Sequence, residues 1–279
     1  MMSRISVYEG DVERHLPMLL PSYRNRHLFL FLDPCGAGLS FDKIVQLLSN
    51  RGALHGAKTE LLLNFNGDLV RRVAAYWRGR TPGGAARSVL TKVCGGTWWV
   101  EAAERGRARD DSTWETALEE VVHEYVQRLM GALPRGHIVG SVPVRARVQN
   151  QPIFYLVFAT SSQVGVWAFS NAVAFATREW RDECDKRHPV LQPSVVDLLK
   201  AEEDEERARQ RLRANVLKLL ERRPILDPIR DYSIWLLDGV AGELKESEIG
   251  RELRAMDAEG VIHLTKKKAY EQCVVSRPQ

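Results

Sequence analysis

Apolar residues in this chain fall either in short unbroken runs or at every third or fourth position, and the two patterns alternate. Leu28 to Leu32 is an unbroken run that stops at Asp33-Pro34. Because it does not alternate, it predicts a strand buried on both faces, as in a parallel sheet. Pro34 has no N–H and a fixed φ, so the strand must end there. Ile5 to Asp11 predicts an earlier strand and Thr59 to Phe65 a later one. Between and after them come helical spacings. Val12, Leu16, Leu19 and Leu20 share one face, as do Phe41, Ile44, Val45 and Leu48, and then Leu69, Val73 and Tyr76. Strand and helix in strict alternation predict a parallel sheet with right-handed crossovers.

The pattern changes after residue 77. Residues 78–112 are rich in turn formers, with Arg78-Gly-Arg-Thr-Pro-Gly-Gly84 and Cys94-Gly-Gly-Thr-Trp-Trp99. They predict loop, with Arg105, Arg107 and Arg109 on a solvated surface and Trp98 and Trp99 in the core. Residues 113–132 predict an amphipathic helix through Ala117, Val121, Tyr125 and Leu129, in which His123 is structural. Pro152 to Ala159 predicts a strand and 166–180 a helix. Phe154 to Ala176 carries no charge, but Thr160, Ser161, Ser162, Gln163 and Gly165 interrupt it, so two elements and a turn are expected rather than a membrane span.

Composition shifts near residue 195. Residues 201–223 predict a charged helix with Glu203–Arg207 and Glu205–Arg209 at the favoured i,i+4 spacing. Its apolar stripe, Leu212, Val216, Leu219 and Leu220, occupies the second half. Helices follow over 228–241 and 247–259, with Gly260 as a left-handed cap. Val261–Thr265 and Ala269–Val275 then predict two strands joined by Lys266, Lys267 and Lys268. Three helices and a two-stranded wing predict a winged helix-turn-helix. The expected organisation is an α/β domain over 1–195, a charged helical linker over 196–211 and the winged helix-turn-helix domain over 212–279.

Of 279 residues, 44% are hydrophobic and 27% charged, which fits a soluble globular protein. A net charge of +4 implies neither a DNA-coating protein nor an acidic tail. Cys35, Cys94, Cys184 and Cys273 have no metal-ligand spacing and suggest no disulfide framework, so a reduced, cytoplasmic compartment is expected. Charges at Arg4, Glu9, Asp11, Glu13 and Arg14 argue against an early signal sequence.

The candidate chemistry gathers at Asp33. A carboxylate at the carboxyl end of a central parallel strand lies where open α/β sheets bind ligands. Asp33 would equally suit a cap for the helix that starts near Ser40.

With these pieces placed, the chain resembles the three-Cys-motif partner family, bacterial class I S-adenosylmethionine (SAM)-dependent methyltransferase-like proteins with a C-terminal winged helix. The residues that carry the likeness are Phe29-Leu-Phe-Leu-Asp-Pro-Cys-Gly36, Glu60-Leu-Leu-Leu-Asn-Phe65 with Arg71, Gly96-Thr-Trp-Trp99, Tyr155-Leu-Val-Phe-Ala-Thr160 with Gly165, and Leu253-Arg-Ala-Met-Asp-Ala-Glu-Gly-Val-Ile262. The resemblance implies a Rossmann-like methyltransferase sheet. Gly10 and Asp11 would end its third strand and bind the SAM adenine. Asp33, Pro34, Cys35 and Gly36 would form the motif beside the transferred methyl, with Asn64 facing the same cleft. Cys35 stands where the family has an aromatic side chain. No glycine-rich cofactor loop precedes Asp33, so the sheet reads as N-terminally truncated. A homo-oligomer or a complementing chain would cover the exposed edge.

Three functions follow. One is an SAM-dependent methyltransferase acting on an amine or a nucleic-acid base. The second is a non-catalytic partner that retains the fold, docks through the winged helix and, by the family likeness, meets a three-Cys-motif protein. The third is a nucleic-acid-binding regulator using Lys266, Lys267 and Lys268. Between Lys245 and Gly260, three basic residues stand against five acidic ones, which disfavours phosphate contact.

Overall fold

The computed structural model describes residues 5–23, 25–33, 39–52, 58–76, 84–109, 115–145, 151–187, 195–222, 225–227, 236–265 and 274–277. By its contacts the chain divides into two units, Met1–Ser161 and Ser162–Gln279. The sequence had placed the boundary near residue 195. The first unit is mixed α/β, and the second is helical with a small sheet.

The first unit runs α1 (Val12–Leu19), β1 (Leu28–Leu32), α2 (Phe41–Gly52), β2 (Thr59–Asn66), α3 (Gly67–Tyr76), α4 (Gly84–Cys94), α5 (Trp99–Arg109), α6 (Glu115–Ala132), β3 (Ile138–Val144) and β4 (Phe154–Thr160). The sheet order is β1-β2-β4-β3. β1 and β2 are parallel, with Phe29 beside Glu60 and Leu32 beside Leu63. β4 runs antiparallel to both β2 and β3, so β3 points the same way as β1 and β2. The sheet is therefore mixed, with one parallel pair, and corrects the all-parallel expectation. The expected strand over 5–11 is also absent. Ile5 and Val7 are 87% and 90% exposed, and Asp11 caps α1. Among the described residues, the Ile5/Val7 alternation has no strand to pair with.

Burial in β2 alternates strictly. Leu61, Leu63 and Phe65 face the core, while Leu62, Asn64 and Asn66 are half-buried. The core-facing strand residues, among them Leu32, Val139, Tyr155, Val157 and Ala159, all lie on that one face, against helix residues such as Ile44, Leu90, Trp99 and Leu118. β1 obeys the same period despite its unbroken apolar sequence. Leu32 is buried, while Phe29 and Phe31 are exposed. This corrects the expectation of burial on both faces, since a strand at the sheet's end presents one face to solvent here.

Residues 84–109 are two helices rather than loop. Gly95, at φ +71°, turns the chain between them. Trp99, Ala102, Ala103 and Gly106 form the buried stripe of α5 against α6. Arg105 lies on α5 and donates to Glu120 at 3.3 Å and to Glu124 at 3.2 Å, and Arg109 pairs with Glu120.

The second unit runs α7 (Gln163–Arg187), α8 (Val195–Arg222), β5 (Ile225–Leu226), a turn region, α9 (Glu246–Ala258), β6 (His263–Thr265) and β7 (Val274–Ser276). β7 lies between β5 and β6 and is antiparallel to both. This small sheet therefore has a third strand, β5, beside the two that the sequence predicts. Leu212, Val216, Leu219 and Leu220 are buried as expected, and they share a core with Leu236, Val240, Leu253 and Met256. α8 is continuous through 196–211 and already buries Ala208. Of the helix expected over 228–241, residues 228–235 lie outside the described residues, and its end is not helical. Residues 237–243 are turns, with Gly239 and Gly242 at φ +68° and +80°. Gly260, at φ +71°, closes α9, and the Val261 N–H returns to the Met256 carbonyl at 2.9 Å, as a left-handed cap requires. Among the described residues, no helix is long and apolar enough to cross a membrane.

Candidate functional site

β1 and β2 bring two of the expected site residues together. With Leu32 beside Leu63, the next pair in register is Asp33 and Asn64. The Asn64 Nδ2 donates to Asp33 Oδ1 at 2.7 Å. Asp33 is exposed just past the strand, and Asn64 is half-buried within β2. Because Asp33 accepts, the amide must turn its nitrogen toward it. The Asn64 Oδ1 is then buried and has no hydrogen-bond partner among the described residues. A buried carbonyl oxygen without a donor is uncommon in folded proteins and calls for an explanation.

Phe29, Phe31 and Asp33 share a face with Glu60, Leu62 and Asn64, as the register dictates. At the far end of this face Thr160, fully buried, donates its hydroxyl to Glu60 at 3.1 Å. The site thus consists of a carboxylate, an unsatisfied amide oxygen and two exposed aromatic rings on one sheet face. The exposed Asp33 carboxylate can accept N–H donors, and the two rings can lie against a flat or apolar molecule.

The other expected residues are distributed differently. Pro34, Cys35 and Gly36 lie outside the described residues, as do Lys266, Lys267 and Lys268. Gly10 and Asp11 do not end a strand. Asp11 Oδ1 accepts the Glu13 N–H at 2.8 Å and caps α1, and Gly10 has φ +122°. Glu13 in turn accepts the Ser40 N–H at 3.2 Å and the Lys92 ammonium at 3.2 Å, which ties α1 to the starts of α2 and the end of α4. Among the described residues no cluster of three or more His, Cys, Asp or Glu is placed to hold a metal ion. Cys94 is buried, and desolvation pushes its thiol well above the usual range, so it is no nucleophile.

In the second unit the acids of α9 are engaged internally. Arg178 of α7 grips Glu248 with both guanidinium nitrogens, one of them at 2.6 Å. Burial opposes the Glu248 carboxylate, but Arg178 and the Lys245 N–H at 2.9 Å outweigh it and hold its pKa below the ordinary value. Arg213 of α8 binds Glu252 and also Glu259, the latter at 2.7 and 2.8 Å. Asp257 accepts the Leu264 N–H at 2.9 Å. The excess of acidic residues in the sequence of this helix is therefore largely absorbed by packing. The sequence offered no signal for it, because Arg178 and Arg213 are far from α9 along the chain.

Comparison with family models, with curated proteins and with solved structures finds no match to the chain.

Proposed function

We propose that the first unit is the acceptor-binding part of a Rossmann-like methyltransferase sheet and that the chain, of three-Cys-motif partner type, transfers a methyl from SAM to an amine or a nucleic-acid base. The observation that carries this reading is the Asp33–Asn64 hydrogen bond at the carboxyl ends of two parallel strands, where such sheets bind ligands. Doubly wound folds often carry one strand antiparallel to the others, so β4, the one reversed strand of the four, does not oppose the reading. Methyl transfer from a sulfonium needs an aligned nucleophile and little further chemistry. Asp33, the exposed member of the pair, would accept an N–H of the acceptor, and Asn64 would hold its carboxylate in place, which turns the nitrogen lone pair toward the methyl. Of the expected motif, Pro34, Cys35 and Gly36 would supply backbone beside the reacting atoms. The second unit, with its helix–strand–turn–helix–hairpin order, is proposed as a winged helix that docks a protein. The cytoplasm is the proposed compartment.

The test is transfer of labelled methyl from SAM to amine and oligonucleotide acceptors. Asp33→Ala is expected to lower the rate by 10²-fold or more, on the order of a lost positioning group, while circular dichroism stays unchanged. A wild-type rate in that variant contradicts the role.

A second reading, a non-catalytic partner, is favoured by one observation: Asp11, expected at the cofactor, is committed to capping α1.

A further inference from the structure

Among the described residues β1 is an end strand: it pairs with β2 alone, and no described strand meets the N–H and C=O groups of its other edge. End strands in natural proteins are usually guarded by proline, charge or a bulge. The opposite end of the sheet follows this rule, since β3 contains Pro143. β1, Leu-Phe-Leu-Phe-Leu, carries no guard.

The sequence around β1 is self-complementary. Leu28-Phe-Leu-Phe-Leu32 reads the same in both directions, with His27 before it and Asp33 after it. Two such strands placed antiparallel about Leu30 would set Phe29 opposite Phe31, Phe31 opposite Phe29, and His27 opposite Asp33 at both ends. Residues 27, 29, 31 and 33 lie on one face by the strand period, and all four are exposed. His27 Nδ1 already accepts the Lys58 N–H at 3.2 Å, which leaves Nε2 as the ring's remaining polar atom. Asp33 Oδ1 holds Asn64, which leaves Oδ2. Each seam end would thus join an imidazole to a carboxylate, and the middle would hold two aromatic pairs, the combinations that favour antiparallel pairing.

We propose that a second copy of this chain docks on β1, strand to antiparallel strand about a two-fold axis through Leu30, and makes one continuous sheet across the pair. A two-fold contact uses the same patch on both copies, so it demands the self-complementarity that this strand has. The backbone edge supplies the hydrogen bonds and the alternate side chains set the register. The strand alone covers less than the roughly 800 Å² per partner of a standard interface. The first unit also exposes Ile5, Val7 and Tyr8 on the segment that precedes β1 in the sequence. The surface is argued from the strand alone and stands whether or not the chain transfers a methyl.

Sedimentation equilibrium on the full chain is expected to give twice 31.7 kDa. Phe31→Lys, which places a like charge near the two-fold axis, is expected to return the mass to 31.7 kDa with unchanged circular dichroism. Register is tested by cysteine pairing, independently of whether that variant folds. Facing residues in antiparallel strands have Cα atoms about 4.5–5.5 Å apart, within disulfide reach. A mixture of Phe29→Cys and Phe31→Cys chains is expected to form a 29–31 disulfide on mild oxidation, mapped by peptide mass. Phe31→Cys alone is expected not to form a 31–31 bond. A wild-type monomer up to the solubility limit overturns the proposal. So does a dimer that survives Phe31→Lys, or a 31–31 bond formed as readily as the 29–31 bond.

Discussion

Arg178 shows how much one side chain can carry. It lies 28% exposed on α7 and holds Glu248, which is 11% exposed, at the start of α9. Glu248 also accepts the Lys245 N–H, so one carboxylate both caps its own helix and anchors it to another. Because the folded-state pKa of Glu248 lies below the ordinary 4.5, its contribution is fully present above about pH 4.5 and is lost as the pH falls through the folded value. Arg178→Ala is expected to destabilise the second unit by about 1–3 kcal/mol at neutral pH, in line with charge-assisted bonds to a partly buried group. It should also flatten the acid side of the stability–pH curve. Urea melts between pH 3 and 7 check both effects, and an unchanged acid limb would mean that Glu248 is not held by Arg178. At this scale the sequence is a partial guide. It singled out Asp33 through the end of its strand and Asn64 through the family likeness, and the two are hydrogen-bonded. It could not reveal that Arg178 and Arg213 absorb the acids of α9, because those contacts depend on how helices pack. The expected Glu203–Arg207 pair is replaced by Asp204–Arg207 at 3.1 Å, while Glu205–Arg209 forms as expected.

Elements were legible where burial and period agree. α2, α6, β2 and β4 lie where their apolar positions predicted, within a few residues. The failures have physical causes. Residues 84–109 have glycines and arginines that suggest loop, yet the small residues Ala102, Ala103 and Gly106 form a helical stripe that lets α5 approach α6 closely. A Cβ at Gly106 would meet the Thr116 carbonyl oxygen and lie 2.6 Å from Ala117 Cα, both backbone atoms that cannot swing away. Gly106→Ala is therefore expected to cost about 1–3 kcal/mol, the usual penalty of overpacking, although alanine has the higher helix propensity. A thermal melt tests it, and a stabilised variant would show that the α5–α6 contact is looser than described. β3 went unseen for another reason. Gly140, Ser141 and Pro143 are poor strand formers, tolerated because, among the described residues, the strand lies at a sheet end and pairs on one side. The unpaired segment 5–11 is the converse case, in which an alternating sequence finds no partner.

At the scale of the whole molecule, the division into an α/β unit and a helical unit was readable as a change of composition, but its position was not. α7 belongs with the second unit, where Trp167 joins the core of α8 and α9. The polar turn Thr160-Ser-Ser-Gln163 marks the end of β4 but not a change of unit, so only the packing shows the change of allegiance. The mixed sheet was likewise hidden, since strand direction depends on partners rather than on local pattern. The proposed chemistry rests on the first unit, and its most direct test is a calorimetric titration of SAM into the purified 279-residue chain. Saturable binding, retained in Asp11→Ala because Asp11 caps a helix but weakened by its demethylated product as competitor, is the predicted result. A well-folded chain that takes up no SAM at any concentration would contradict the methyltransferase reading and leave the non-catalytic partner in its place.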